Sequence, residues 1–310
     1  MSTRTLEKLT SQSVELDLSP ETFGELRRSD DIVEDVETLR ARMDEDGYLF
    51  LPGYLQRSQV LEARLEMLER LSAEGVLHPD FPLEEGVLSP DAHFQFRPDL
   101  ALDNAPLQRL LYDGAMMRFW QGFLGEAVRH FDFTWVRAVS PGRGTPAHCD
   151  IVYMGRGTQE LYTAWTPLGD TTLEMGGLMM LEGSHKHQKL RENYGRKDVD
   201  AFCTNKIDDV RANNGGANGS VRTRDGGMLS HEVSKLRRAL GGRWLTNPFQ
   251  MGDLLVFSVH TVHASLDNQS DKIRLSSDSR YQRASEPADE RWIGENPIGH
   301  GPNAKRGLIC

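Results

Sequence analysis

His148 and Asp150 stand two residues apart in the segment Thr145-Pro-Ala-His148-Cys-Asp150, and His263 and Arg274 follow more than a hundred residues later. Two imidazoles, one carboxylate and one guanidinium are the inventory for a metal centre that also holds an acidic co-substrate. In a strand, side chains at i and i+2 share a face, so His148 and Asp150 can take adjacent corners of one metal while Cys149 faces away. A third ligand from a distant strand, His263, completes a triangular face. Two His and one carboxylate on one face of an octahedron leave three positions open, the arrangement of non-haem Fe(II) oxygenases. Those positions have room for a bidentate 2-oxo acid and O2.

A chain of 310 residues with ten histidines and 24 aspartates is expected to hold about 0.8 His-x-Asp triplets by chance, so the pair needs its context. Gly252-Asp253 is a turn signal, and Leu254 to Val259 is an unbroken apolar run that reads as a buried strand. His263 lies in phase with Leu255, Phe257 and Val259; His260 falls in the opposite phase with Leu254 and Val256. The residues downstream favour His263. Eleven positions after it comes Arg274, with Ser276 on the same side of a strand, and a guanidinium beside a hydroxyl is a natural receptor for a buried carboxylate.

These segments are joined by Asp46-Gly47-Tyr48-Leu-Phe-Leu-Pro52-Gly53, Trp165-Thr-Pro-Leu-Gly-Asp170, Gly176-Gly177-Leu, Glu182-Gly183-Ser184-His185 and Arg280-Tyr281. In order and spacing, from about Phe50 to about Tyr281, they resemble the phytanoyl-CoA dioxygenase (PhyH-like) family of Fe(II)- and 2-oxoglutarate-dependent oxygenases. The resemblance implies that His148, Asp150 and His263 bind iron and that Arg274, assisted by Ser276, holds the distal carboxylate of 2-oxoglutarate. Thr145, Trp165 and Arg137 are further candidates to line the co-substrate pocket. The implied reaction consumes O2, releases succinate and CO2, and oxidises a C–H bond of a small-molecule metabolite. Related halogenases carry a small residue in place of the carboxylate, so Asp150 implies hydroxylation or a related oxidation such as desaturation.

Two other readings stay open. One is a cupin-like metal enzyme that uses no 2-oxoglutarate, in which Arg274 is structural. The other is a non-catalytic jelly-roll binding protein.

The elements that must position these residues are expected as a mainly β fold with flanking helices. Strands from Val128 to Tyr281, in two blocks separated by glycine-rich turns, fit a jelly roll, the double-stranded β-helix. Phe131, Phe133, Trp135 and Arg137 read as one alternating strand. Helical spacing is expected over Asp31 to Glu45, from a capping Ser58 toward Ser72, and over Asn104 to Gly125. Residues 1–30 read as irregular.

The chain divides as a helical and entry-strand region 1–127, a jelly-roll core 128–285 and a tail 286–310, all one domain. A lid-like excursion, 186–247, breaks the strand rhythm. It holds the glycine-rich run Asn213 to Gly219, a helix at Ser230 to Leu240, and Arg222, Arg224 and Trp244 as possible substrate contacts. His185, His187 and His231 are lesser metal candidates.

A net charge of −10 with 36 basic against 46 acidic residues argues against general nucleic-acid or anionic-membrane binding. Cys149, Cys203 and Cys310 show no paired spacing, which makes a disulfide framework or a zinc cluster an unexpected outcome. No apolar leader or membrane-length run is visible. The expected location is cytoplasmic and the expected partner a small-molecule substrate.

Overall fold

The computed structural model describes residues 8–94, 96–203 and 227–308. Its strands are Thr10–Ser11 (β1), Val14–Glu15 (β2), Phe23–Gly24 (β3), Tyr48–Leu51 (β4), Val128–His130 (β5), Trp135–Val139 (β6), Tyr162–Pro167 (β7), Leu178–Leu181 (β8), Ala201–Cys203 (β9), Trp244–Leu245 (β10), Leu254–Ser258 (β11), His263–Ser265 (β12), Arg274–Arg283 (β13) and Arg306–Leu308 (β14). The large sheet runs β4-β11-β7-β13-β5, with β6 also paired to β13, and the small sheet runs β12-β8-β10-β3.

Strand alternation sorts the side chains of the large sheet between two faces. Leu49, Leu51, Val136, Ala138, Leu254, Val256, Leu275 and Tyr281 pack outward against the helices Val36–Asp46 (α1), Arg57–Ala73 (α2), Ala105–Tyr112 (α3) and Gly114–Leu124 (α4). Val60, Met67, Leu68 and Leu71 of α2 have no exposed surface, each burial contributing about 1.5–3 kcal/mol. The other face, with Tyr48, Phe50, Trp165, Leu255 and Phe257, meets Leu178, Met180 and Leu245 of the small sheet. Two facing sheets buttressed by helices on one side are the expected jelly roll, though the sheets do not close into a continuous barrel.

Several local expectations are corrected. Residues 10–24 are not irregular: β1 and β2 form a hairpin turning through Gln12 and Ser13, both at positive φ, and β3 pairs in parallel with β10. Ser58 does not cap α2, which begins one residue earlier at Arg57 after Gln56. The stretch Asn104 to Gly125 is two helices, because Asp113 leaves helical geometry and its carboxylate caps the Gly114 amide. The alternating strand at Phe131 to Arg137 breaks between β5 and β6, where the Asp132 and Phe133 amides turn to the Trp292 carbonyl.

Trp244–Leu245 pairs with β8 and so belongs to the small sheet, and the helix foreseen at Ser230 to Leu240 spans Val233–Leu240. The glycine-rich run Asn213 to Gly219, with Arg222 and Arg224, lies outside the described residues, as does Cys310. Among the described residues, no helix is long and apolar enough to cross a membrane.

Candidate metal centre

His148 and His263 meet at the edge of the small sheet, where β12 is the last strand. Each donates its backbone N–H to the other's carbonyl at 3.0 Å, an isolated antiparallel bridge that brings the rings to 4.2 Å. This approach requires glycine upstream. A Cβ on Gly144 would stand 2.4 Å from the Leu266 carbonyl oxygen and 2.5 Å from that of Ser265.

The segments that carry these three residues are not both strands, contrary to the expectation from i, i+2 spacing. After the His148 bridge the chain turns, and Asp150 (φ −64°, ψ −26°) opens the short helix Ile151–Met154 (α5). That turn swings the carboxylate toward the imidazoles. Nor do β11 and His263 share a strand: the Thr261 amide bonds back to the Ser258 carbonyl, and β12 crosses to the small sheet beside β8. Strand phase therefore does not separate His263 from His260, but His263 lies beside His148 and Asp150. His260 is half-buried and points elsewhere; burial, with Arg191 and His185 nearby, brings its pKa down to about 4.

Nε2 of His148 and Nε2 of His263 each lie 3.8 Å from Asp150 Oδ1. Among the described residues this is the one group of three or more potential ligands that could hold a metal ion. Both rings are oriented by carbonyls, which can only accept: His148 Nδ1 donates to Pro146 O at 2.9 Å and His263 Nδ1 to Thr261 O at 3.1 Å. Each Nε2 is left with its lone pair, the tautomer a metal requires. Burial, reinforced by the neighbouring His263, brings the His148 pKa down to about 3, and burial lowers that of His263.

Burial alone would raise the Asp150 carboxyl. Arg280, the two imidazoles and the Thr163 hydroxyl outweigh it and hold the carboxyl well below the usual range. An ionised carboxylate facing two neutral imidazoles is the protonation state that metal binding requires.

Arg274, Ser276, Asp278 and Arg280 alternate onto the inner face of β13. Arg274 is 1% exposed, and its Nε, Nη1 and Nη2 have no hydrogen-bond partner among the described residues, nor does Ser276 Oγ. Trp165, opposite Asp278 and diagonal to Ser276 in the register, has an equally unpartnered Nε1. Burial, with Arg137 nearby, brings the Arg274 pKa down to about 10, so the group remains cationic at neutral pH. Three buried donors without an acceptor fit a carboxylate.

Arg137, opposite Ser276, is already engaged through Nε to Asp278 Oδ2 at 2.8 Å. Thr145 is half-buried and joins the assembly through its amide, which donates to Ser265 Oγ at 2.7 Å. The lesser metal candidates serve structure. His185 bonds the Asp44 carbonyl, His187 caps the helix Gln188–Glu192 (α6), and His231 reaches Gln12. Trp244 is buried, donating to Val233 O, and Cys149 is a buried free thiol.

Sequence reasoning passed over Arg280 and Thr163, which engage Asp150 Oδ2. Arg280 shares parity with Arg274 and Ser276, a signal that was present in the sequence. It also missed an aromatic chain linking the tail to the site: Tyr153 lies 5.6 Å from His148, His300 5.7 Å from Tyr153, Trp292 4.6 Å from His300 and Trp135 4.6 Å from Trp292. Nothing in residue type or spacing marks those contacts.

The phytanoyl-CoA dioxygenase (PhyH) family profile matches residues 43–276. Among curated proteins the chain is similar to the 1-deoxypentalenic acid 11-beta-hydroxylase of Streptomyces arenae, 27% identical over 86% of this chain and 87% of the relative. The enzyme of the same name from Streptomyces exfoliatus is 29% identical, over 82% and 83%. Similar solved structures include the carbocyclase SnoK of nogalamycin biosynthesis (TM-score 0.57, 17% identity, 87% of this chain and 92% of that one). EctD from S. alaskensis is another, with TM-score 0.56, 16% identity and coverage of 94% and 93%. At these identities the structural likenesses establish the fold.

Proposed function

The chain belongs to the phytanoyl-CoA dioxygenase family, and from that membership we propose that it is an Fe(II)- and 2-oxoglutarate-dependent hydroxylase of a small-molecule metabolite. The observation that carries the proposal is the pairing of two features on facing sheets. One is a buried His148, Asp150, His263 cluster; the other is a buried Arg274 whose guanidinium, with Ser276 Oγ, has no partner among the described residues. A cupin-like enzyme without 2-oxoglutarate leaves those unpartnered buried donors unexplained, and so does a binding module.

In this reading His148 Nε2, Asp150 Oδ1 and His263 Nε2 hold Fe(II). Arg274 and Ser276 receive the distal carboxylate of 2-oxoglutarate, with Trp165 Nε1 turned to the same space. Bound iron, 2-oxoglutarate and O2 supply the oxidation of a substrate C–H bond, with release of succinate and CO2.

The protein's own work is orientation and exclusion of water. The Pro146 and Thr261 carbonyls keep a proton on each Nδ1, so neither imidazole needs to lose one on binding metal. Phe257, 4.6 Å from the His263 ring, closes one side with an apolar surface. Arg137 is held by Asp278, so its part is to shape the co-substrate pocket, with Thr145 at the rim. Trp135, Tyr153 and Trp292 offer an aromatic wall suited to an apolar carbon skeleton. The named activity of the Streptomyces relatives, hydroxylation of a small organic acid, is of the same kind. The described segment 188–200 supplies a further wall, tied to α5 by Val199 N to Val152 O at 3.1 Å.

Anaerobic titration of the metal-free protein with Fe(II) and then 2-oxoglutarate tests the assignment, read by the weak visible charge-transfer band of a chelated 2-oxo acid. The band should need His263 and weaken strongly in Arg274→Ala. Iron binding without a band would favour the cupin-like reading; no iron binding would end the enzyme proposal.

A further inference from the structure

Asp150 presents two chemically equivalent oxygens, and the protein treats them differently. Oδ1 faces the two imidazoles, 3.8 Å from each Nε2. Oδ2 is turned away and accepts two hydrogen bonds, from Thr163 Oγ1 at 2.6 Å and from Arg280 Nη2 at 3.0 Å. Both donors come from residues directly paired across neighbouring strands, Thr163 on β7 and Arg280 on β13, so strand register sets their positions. The Arg280 guanidinium is further fixed by lying 4.4 Å over the Trp135 ring. Thr163 and Arg280 are 0% and 2% exposed, which leaves water little chance to replace either donor.

The asymmetry matters because of coordination arithmetic. Two imidazoles and a carboxylate bound through one oxygen occupy three of six positions, leaving three for a chelating 2-oxo acid and O2. A carboxylate bound through both oxygens would occupy a fourth position and leave room for the 2-oxo acid alone.

We propose that Arg280 and Thr163 are positioning residues that hold Asp150 as a one-oxygen ligand and so preserve the third open position. The proposal rests on the reading of His148, Asp150 and His263 as iron ligands. In this proposal both act through Asp150 Oδ2, the atom that accepts from Thr163 Oγ1 and Arg280 Nη2. Oδ2 points between the strands and Oδ1 into the site, and freeing Oδ2 allows the carboxylate to rotate about its terminal bond.

Co(II) titration of the full-length metal-free protein tests this, because the visible absorption of Co(II) reports its coordination number as well as its affinity. Thr163→Val and Arg280→Gln should each weaken Co(II) binding by about 10–100-fold and alter the intensity and pattern of the visible bands. Arg280→Lys, which keeps a cationic donor, should restore part of both. Thr163→Val removes one hydroxyl at nearly constant volume, so it carries the test even if Arg280→Gln does not fold.

Wild-type affinity and spectrum in Thr163→Val and in any folded Arg280→Gln would overturn the proposal. Weaker binding with an unchanged spectrum would also overturn it, since it would make the pair mere structural support. His263→Ala separates this failure from failure of the underlying reading: if Co(II) binding in otherwise wild-type protein does not need His263, the ligand assignment itself is wrong.

Discussion

Arg274 carries a charge into the inner face of β13 where, although Asp278 is nearby, none of its guanidinium nitrogens has a hydrogen-bond partner among the described residues. A buried charge without hydrogen-bond partners is costly, so a site built this way gives up stability for a ligand. Arg274→Met should leave the ligand-free protein as stable as the wild type or stabilise it by about 1–4 kcal/mol. It should also abolish the stabilisation expected from 2-oxoglutarate in the wild type, about 2.7 kcal/mol at a hundredfold excess over Kd, which is read as a rise in Tm. Thermal unfolding with and without 2-oxoglutarate checks both, and a large loss of stability in the ligand-free variant would mean that Arg274 has a structural partner.

The imidazoles make a second prediction at the residue scale. His148 and His260 are brought down to about 3 and about 4, and His263 and His185 are also lowered, each chiefly by burial. An unfolded imidazole titrates near about 6.5, so below that pH the unfolded chain binds protons that the native chain refuses. This contribution to stability is complete above pH 7 and is lost as pH falls through the unfolded value, by up to about 1.4 kcal/mol per pH unit for each imidazole. The Tm of metal-free protein should therefore fall steadily from pH 7.5 to pH 5. A flat profile over that range would show these rings to be open to solvent.

At the scale of elements, the segment carrying His263 is held by the start of the chain. Asp267 is 5% exposed. It accepts from the amides of Gln12 at 2.8 Å, Ser13 at 2.7 Å and Gly144 at 2.7 Å, and from Thr10 Oγ1 at 2.8 Å. Ser11 Oγ adds a bond to the Ser265 carbonyl at 2.9 Å. One carboxylate thus ties the β1–β2 hairpin, the Gly144 approach to His148, and β12. Hydrogen bonds to charged acceptors contribute about 1.5–3 kcal/mol each and are not additive. Asp267→Ala should cost about 3 kcal/mol in urea unfolding, and removal of residues 1–16 should weaken metal binding although none of them is a ligand. Unchanged metal affinity in the truncated protein would show that β12 keeps its place unaided.

At the scale of the whole molecule, the tail is joined to the rest through a buried charge network. Arg291 is fully buried and bonds Asp289 at 2.6 Å, Asp200 at 2.7 Å and Asp198 at 3.2 Å. His300 meets the same Asp200 at 2.7 Å, and Arg156, just beyond α5, meets Asp198 at 2.7 Å. Three segments distant in sequence therefore share one set of charges beside the aromatic chain that ends at His148. Arg291→Met strands two buried carboxylates, Asp289 and Asp200, and should cost about 3–5 kcal/mol, read as a lower urea midpoint with early proteolysis of the tail. A loss below about 1 kcal/mol, the level of an exposed ion pair, would mean that packing of Trp292 alone holds the segment.

The sequence by itself determined the candidate ligand types, the separation of His148 from Asp150, the parity that puts Arg274 and Ser276 on one strand face, and the alternation that makes a jelly roll. These are local properties, set by side-chain chemistry and strand periodicity. Only the tertiary structure decided how His148 and His263 come together: through a bridge permitted by Gly144, a turn at Ser258 that carries β12 to the other sheet, and a helical turn at Asp150. It alone placed Arg280 and Thr163 on Asp150 Oδ2, engaged Arg137 with Asp278, and folded Trp292 and His300 toward the site. Those contacts join residues tens to hundreds of positions apart, and their partners are chosen by register and by the burial of charge, neither of which a residue's neighbours in sequence reveal.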